Sequence, residues 1–172
     1  TLVADTGNLL FDQAIGNVSR PATLQIVSAH DVTFSGFVNV SKLLQSSGTG
    51  TTTLMGMLNT NSSDGVVING TNLQVATGIT TTGSGPVTIS LTGASPDGSL
   101  TINNSASISA DGPVSIAAAG GLSIGSNINS TSDAISISGI ITLTSSITFS
   151  SSTPGNSIQI TGDIEGASVN AQ

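Results

Sequence analysis

The chain has 172 residues and a formal net charge of −7, with two basic side chains (Arg20 and Lys42), nine acidic ones, one His and no Cys, Trp or Tyr. Two cations cannot neutralise a row of phosphates, which argues against nucleic acid as a partner. A chain without Cys and with a single His has no ligand set for a structural zinc site or an iron–sulfur cluster, and no disulfide. Ser and Thr supply 52 residues, Gly 21 and Asn 13, a composition that raises disorder as a first reading. Ile, Val, Leu and Phe nevertheless make up 47 residues, about 27%, above the roughly 20% below which disorder is expected. No apolar run approaches the length of a membrane span.

In chain order, the apolar residues fall into short alternating pairs. Leu9-x-Phe11, Val32-x-Phe34, Thr52-x-Leu54, Leu73-x-Val75, Leu100-x-Ile102, Leu122-x-Ile124 and Ile141-x-Leu143 form one series, with Ile158-x-Ile160 as its eighth member. Successive second members lie 23, 20, 21, 27, 22, 19 and 17 residues apart, a mean near 21. Four residues after each pair comes a further apolar residue: Ile15, Val38, Leu58, Ile79, Ala106, Ile128, Ile147 and Ile164. The residues between are small or turn-forming, which predicts a bend and not a helical turn. A preceding series, Leu24-x-Ile26, Val66-x-Ile68, Val87-x-Ile89, Val114-x-Ile116 and Ile135-x-Ile137, opens each repeat, often after Asp-Gly or Gly-Pro. Period-2 alternation of apolar and Ser, Thr or Gln residues is the mark of a strand with one buried face.

A unit of about 21 residues cannot bury its apolar face alone, but stacked units bury a continuous core. The pattern therefore predicts an all-β, single-stranded parallel β-helix (β-solenoid) of about eight coils, three short strands per coil, forming one segment over residues 1–172. At ~4.8 Å per coil the rod is about 40 Å long. The rival is an antiparallel β-sandwich, which short strands and the Asn69-Gly70 dipeptide would suit. A sandwich gives no reason for the fixed spacing to recur.

Gly7–Asn17, His30–Val40 and Thr82–Ser90 resemble the β-strand repeats of very large bacterial surface proteins, the filamentous-haemagglutinin-like and autotransporter-associated repeat proteins. The resemblance is one of pattern and composition over nearly the whole chain. It implies a bacterial, secreted, extracellular cell-surface rod serving adhesion or cell contact, and it carries over no functional residue. Partners on this reading are neighbouring repeats, copies of the chain, or a glycan or protein of a host or neighbouring cell.

Each candidate site has a plain structural alternative. Asp31 beside His30 is the one acid–imidazole neighbour pair, and a solvated turn before Val32 explains it. Asp64, Asp111 and Asp133 stand in turns before first strands. Asp111 and Asp133 are expected on adjacent coils, where a calcium ion would relieve their repulsion, although Asp-Gly alone makes a good turn. Asn39, Asn59 and Asn129 follow the third apolar position and predict a structural Asn ladder, with Asn17 at its start. Six Asn-x-Ser/Thr sequons are about what so much Ser and Thr yields by chance. Thr51–Thr53 and Thr80–Thr82 raise ice binding, but later coils break the Thr array. Phe11 and Phe34 are expected in the core. Enzymatic action on acidic polysaccharides is disfavoured by the missing paired carboxylates and basic residues.

The reading is thus a non-enzymatic structural or adhesive rod segment without a cofactor, assembling end to end or continuing into further repeats. This follows from Thr1–Asn8 and Gly162–Gln172, which carry the strand pattern and no capping helix. The alternative is a glycan- or calcium-binding module. No nucleic acid and no membrane insertion are expected.

Overall fold

A computed structural model describes residues 1–93 and 95–166 of the chain. It is a parallel β-solenoid of about eight coils of some 21 residues with three parallel sheets. Coil 1 holds β1 (Leu2–Val3) and β2 (Leu9–Phe11), closed by a bridge at Ile15. Coil 2 holds β3 (Thr23–Ser28), β4 (Val32–Phe34) and β5 (Val38–Asn39), and coil 3 β6 (Lys42–Gln45), β7 (Thr51–Leu54) and β8 (Leu58–Thr60). Coil 4 follows with β9 (Val66–Gly70), β10 (Asn72–Val75) and β11 (Gly78–Thr81), and coil 5 with β12 (Val87–Leu91), β13 (Ser99–Ile102) and β14 (Ser107–Ala110). Coil 6 contains β15 (Val114–Ala118), β16 (Gly121–Ile124) and β17 (Ile128–Ser130), and coil 7 β18 (Ile135–Ser138), β19 (Ile141–Leu143) and β20 (Phe149–Ser151). Coil 8 supplies β21 (Ile158–Thr161) and β22 (Ile164–Gly166).

The first strands of the coils form sheet 1, the second strands sheet 2 and the third strands sheet 3. Every pairing is parallel, which excludes the sandwich. Asn69-Gly70 makes no hairpin: it ends β9, at the corner where sheet 1 passes into sheet 2.

Because side chains alternate, each sheet sends rows of identical register into the rod. In sheet 1 the row Ile26, Gln45, Ile68, Ile89, Ile116, Ile137, Ile160 runs through seven coils. In sheet 2 Phe11 and Phe34 begin a row, their rings stacked at 4.7 Å. Phe34 is fully buried and Phe11 half-buried. β-Branched side chains fit such a pleated, stacked interior. Main-chain hydrogen bonds link coil to coil along the axis through the bends as well as the strands, as in Leu9 N–H to Asp31 O at 2.8 Å and Asn72 N–H to Gly50 O at 3.1 Å. The bends stack closely: a Cβ on Gly56 would lie 2.3 Å from the carbonyl of Gly36, so only glycine fits there.

Four sequence assignments shift. Ile158-x-Ile160 belongs to sheet 1, opposite Ile135 and Ile137, and the eighth strand of sheet 2 is β22, where Ile164 faces Ile141 and Gly166 faces Leu143. Ile164 is therefore not a third-strand residue. An apolar pair reads alike on either sheet, and the β22 pair ends in Gly. In sheet 3, Ile79 and Ile128 pair with Ile108, and Phe149 pairs with Ile128, in place of Ala106 and Ile147. The bends before β14 and β20 are each two residues longer, and Ala106, itself buried, fills the wider bend. Of the expected C-terminal continuation, β22 is seen, and residues 167–172 lie outside the described residues.

Candidate functional site

With the interior filled by packing, chemistry can reside only in outward rows and corners. On sheet 2 the outward row is Leu10, Thr33, Thr53, Gln74, Thr101, Ser123, Thr142 and Glu165. Beside it, Thr51 and Asn72 face each other, as do Ser99 and Gly121. Two grooves open on this one face. One, of about 520 Å³, is lined by Asn8, Leu10, Asp31, Thr33, Thr51 and Thr53. The other, of about 370 Å³, involves Ser95, Ser99, Thr101, Gly121, Ser123, Ile140 and Thr142. The segment between β12 and β13 adds Ser95 to its lining, and Asn72 ties that segment to the sheet, its Nδ2 donating to Asp97 Oδ1 at 3.3 Å. Asn72 Oδ1 in turn accepts from Ser99 N–H and Oγ–H at 3.1 and 3.0 Å.

In the first groove His30 Nδ1 stands 3.2 Å from Asp31 Oδ2, while Asp31 Oδ1 accepts the Thr51 N–H at 2.8 Å. That main-chain hydrogen bond, aided by His30 and opposed by partial desolvation, holds the Asp31 carboxyl below its ordinary value. A Cβ on Gly50 would lie 2.2 Å from Asp31 Oδ1 and 2.9 Å from the His30 ring, so glycine at that position makes room for the pair.

The corners between sheets 3 and 1 hold Asp64, Asp111 and Asp133. Asp111 Oδ2 accepts Ser84 N–H at 2.7 Å and Oδ1 accepts the Thr131 hydroxyl at 2.9 Å, which lowers its pKa. Ser132 donates to the Asp111 main-chain carbonyl. Asp133 turns its carboxylate onto the next residue, accepting Ala134 N–H at 2.7 Å. The two carboxylates thus have separate protein partners. No group of three or more His, Cys, Asp or Glu among the described residues is placed to hold a metal ion. Asp64 pairs with Lys42 at 3.4 Å, and Arg20 donates to the carbonyl of Val40 at 3.2 Å.

The Asn positions share one outward row of sheet 3: Asn39, Asn59, Thr80, Ser109, Asn129 and Ser150. Asn39 and Asn59 are neighbours, while Asn129 lies three coils beyond Asn59. Asn39 Nδ2 donates to Gly16 O at 3.3 Å, and Asn129 Oδ1 accepts Ser150 Oγ–H at 2.7 Å. Asn17 is out of step, because the Ile15–Val38 bridge sets Gly16 opposite Asn39. Of the Thr runs, Thr52 and Thr81 point inward and are buried.

The sequence reading missed two groups. Gln45 occupies an otherwise aliphatic row, hydrogen-bonded to Thr52. The second groove adjoins the insertion, whose one sequence signal is the 27-residue spacing between Val75 and Ile102. No protein-family model, curated protein or solved structure matches the chain.

Proposed function

We propose that the chain is a structural rod segment of a large, secreted bacterial surface protein of the filamentous-haemagglutinin-like kind, holding an adhesive element away from the cell. The single observation behind this reading is the unbroken coil-to-coil pairing of sheets 1 and 2 from coil 1 to coil 8, with sheet 3 beside them. Hydrogen bonds in a parallel ladder point across the strands, and here that direction is the rod axis. Parting two coils between coil 2 and coil 7 therefore means breaking three ladders and the buried rows between them at once. Outward Ser, Thr and Asn suit an extracellular surface, and the absence of Cys leaves no redox dependence. On this reading the chain does no catalysis, and its partners are neighbouring repeats or copies stacked on its ends.

Single-molecule extension between the two termini tests the mechanical role. The expected trace is a series of steps of about 70 Å, the extended length of one 21-residue coil. A single collapse at low force would overturn it. Antibody labelling of intact source cells tests location, with staining expected before permeabilisation. Electron microscopy separates fibres of stacked copies from discrete rods.

A further inference from the structure

We infer that the outward face of sheet 2 binds a neutral, extended glycan chain laid along the rod axis. The inference stands apart from the rod's mechanical role and rests on the two grooves. Both lie on the same face of the same sheet, at coils 1–3 and 5–7, in line with each other. Each combines a row of hydroxyls with one large exposed aliphatic side chain: Leu10 (66% exposed) in the first and Ile140 (56%) in the second. A sugar ring presents the same two surfaces, hydroxyls at its rim and C–H groups on its face. Here Leu10 and Ile140 stand where an aromatic platform would otherwise serve.

The hydroxyls are available. Thr33, Thr53, Thr101, Ser123 and Thr142 make no side-chain hydrogen bond among the described residues. Those of the bends, such as Thr71 and Ser145, are bound to carbonyls of the preceding coil. A hydroxyl both donates and accepts, and so do the hydroxyls of a sugar. Asp31, whose Oδ1 is anchored by Thr51 N–H, adds a carboxylate able to accept from a sugar diol.

Charge selects the class of glycan. A carboxylate lines the first groove and neither Arg20 nor Lys42 lines either one. An acidic polysaccharide would meet like charge on a chain of net −7 and be repelled. Spacing suits an extended chain. Outward side chains recur every ~4.8 Å along the axis, near the advance per sugar of an extended β-1,4-linked hexose chain. Each sugar is turned over relative to the last, so alternate sugars present the same edge to every second rung.

The test is calorimetric titration of the full chain with cellohexaose, compared with polygalacturonate. Thr53→Leu and Ser123→Leu each remove a free hydroxyl and fill one groove; Ser115→Leu, outward on sheet 1, is the control. Cellohexaose is expected to bind at sub-millimolar concentration. Each groove variant is expected to weaken it at least tenfold, the control to leave it unchanged, and polygalacturonate to bind more weakly or not at all. No binding at millimolar cellohexaose, equal weakening by the control, or preference for polygalacturonate overturns the proposal. The strand signal in circular dichroism verifies folding of each variant. Because the grooves are filled separately, a variant that fails to fold leaves the other to decide.

Discussion

Coil 3 and coil 6 are built from the same three strands in the same stack, yet their interiors differ. Coil 6 packs Val114, Ile116, Ala118, Leu122, Ile124 and Ile128, with Ser130 as its one buried polar side chain. Coil 3 encloses Gln45, Thr52 and Thr60 among its leucines, each at most 2% exposed. Polar groups out of water cost stability unless they are paired, and the two coils show three grades of pairing. Ser130 is doubly satisfied, donating to Gly112 O at 2.9 Å and accepting Asp133 N–H at 3.0 Å. The Thr52 hydroxyl meets both ends of the Gln45 amide, at 2.8 Å from Nε2 and 3.0 Å from Oε1. Among the described residues, Thr60 Oγ1 has no partner. The stack is thus held by apolar rows where the coils are alike, and the polar residues it encloses are answered from the facing sheet at Gln45 and Thr52, by corner main chain at Ser130, and by no protein group among the described residues at Thr60.

Cutting into the apolar coil gives the largest expected effect. Ile116→Ala empties a site that stacked side chains above and below keep from collapsing, and is expected to cost about 2–5 kcal/mol in urea unfolding. Thr52→Val in coil 3 keeps volume but strands the Gln45 amide, with an expected cost of about 1–3 kcal/mol. Adding Gln45→Leu is expected to recover most of that loss, so the double-mutant cycle should show strong coupling. Additive losses in the cycle would mean that the amide is satisfied elsewhere, for example by Asn69 O at 3.4 Å. Thr60→Val is the same substitution with the opposite sign. Removing an unpartnered hydroxyl is expected to stabilise by about 1 kcal/mol, and a loss there would reveal a buried water on Thr60.

This contrast also marks what the sequence could show. Inside and outside were legible because a strand alternates with period two, so Ile26, Ile68, Ile89 and Ile116 announced their row. Gln45 was invisible to a search for apolar residues, although Leu43-x-Gln45 sits at the place in coil 3 where a first-strand pair is due. Its partner Thr52 was placed correctly because Leu54 completed that pair. The grooves were hidden for another reason: periodicity says which residues face outward, but not where corner residues such as Asp31 and Ser95 border an outward row. At the charged corners, stacking of coils suggested Asp133 as the neighbour of Asp111, whereas its carboxylate is held by Ser84 and Thr131, 27 residues before it and 20 after.

The smallest expected effects come from these carboxylate clasps, which both regions share. Asp31 of coil 2 holds Thr51 of coil 3, and Asp111 joins the corners on either side of it. Both carboxyls have folded values below the ordinary 3.8, so the folded chain binds their protons less readily than the unfolded one. Their contribution is fully present above that ordinary value and is lost as the pH falls through the lower folded value. Asn keeps an acceptor oxygen at the same place but does not titrate. Asp31→Asn and Asp111→Asn are therefore each expected to lower stability slightly at pH 7, where the ionised carboxylate contributes, and to flatten the further loss below pH 4, measured as the urea midpoint against pH. The flattening should be larger for Asp111, which accepts from a main-chain N–H on one side and a hydroxyl on the other. Asp31 has one such main-chain bond and a His30 side chain that is half exposed. If the two variants reversed that order, the His30 ion pair would outweigh the second hydrogen bond, and raising the salt concentration should then erase the difference.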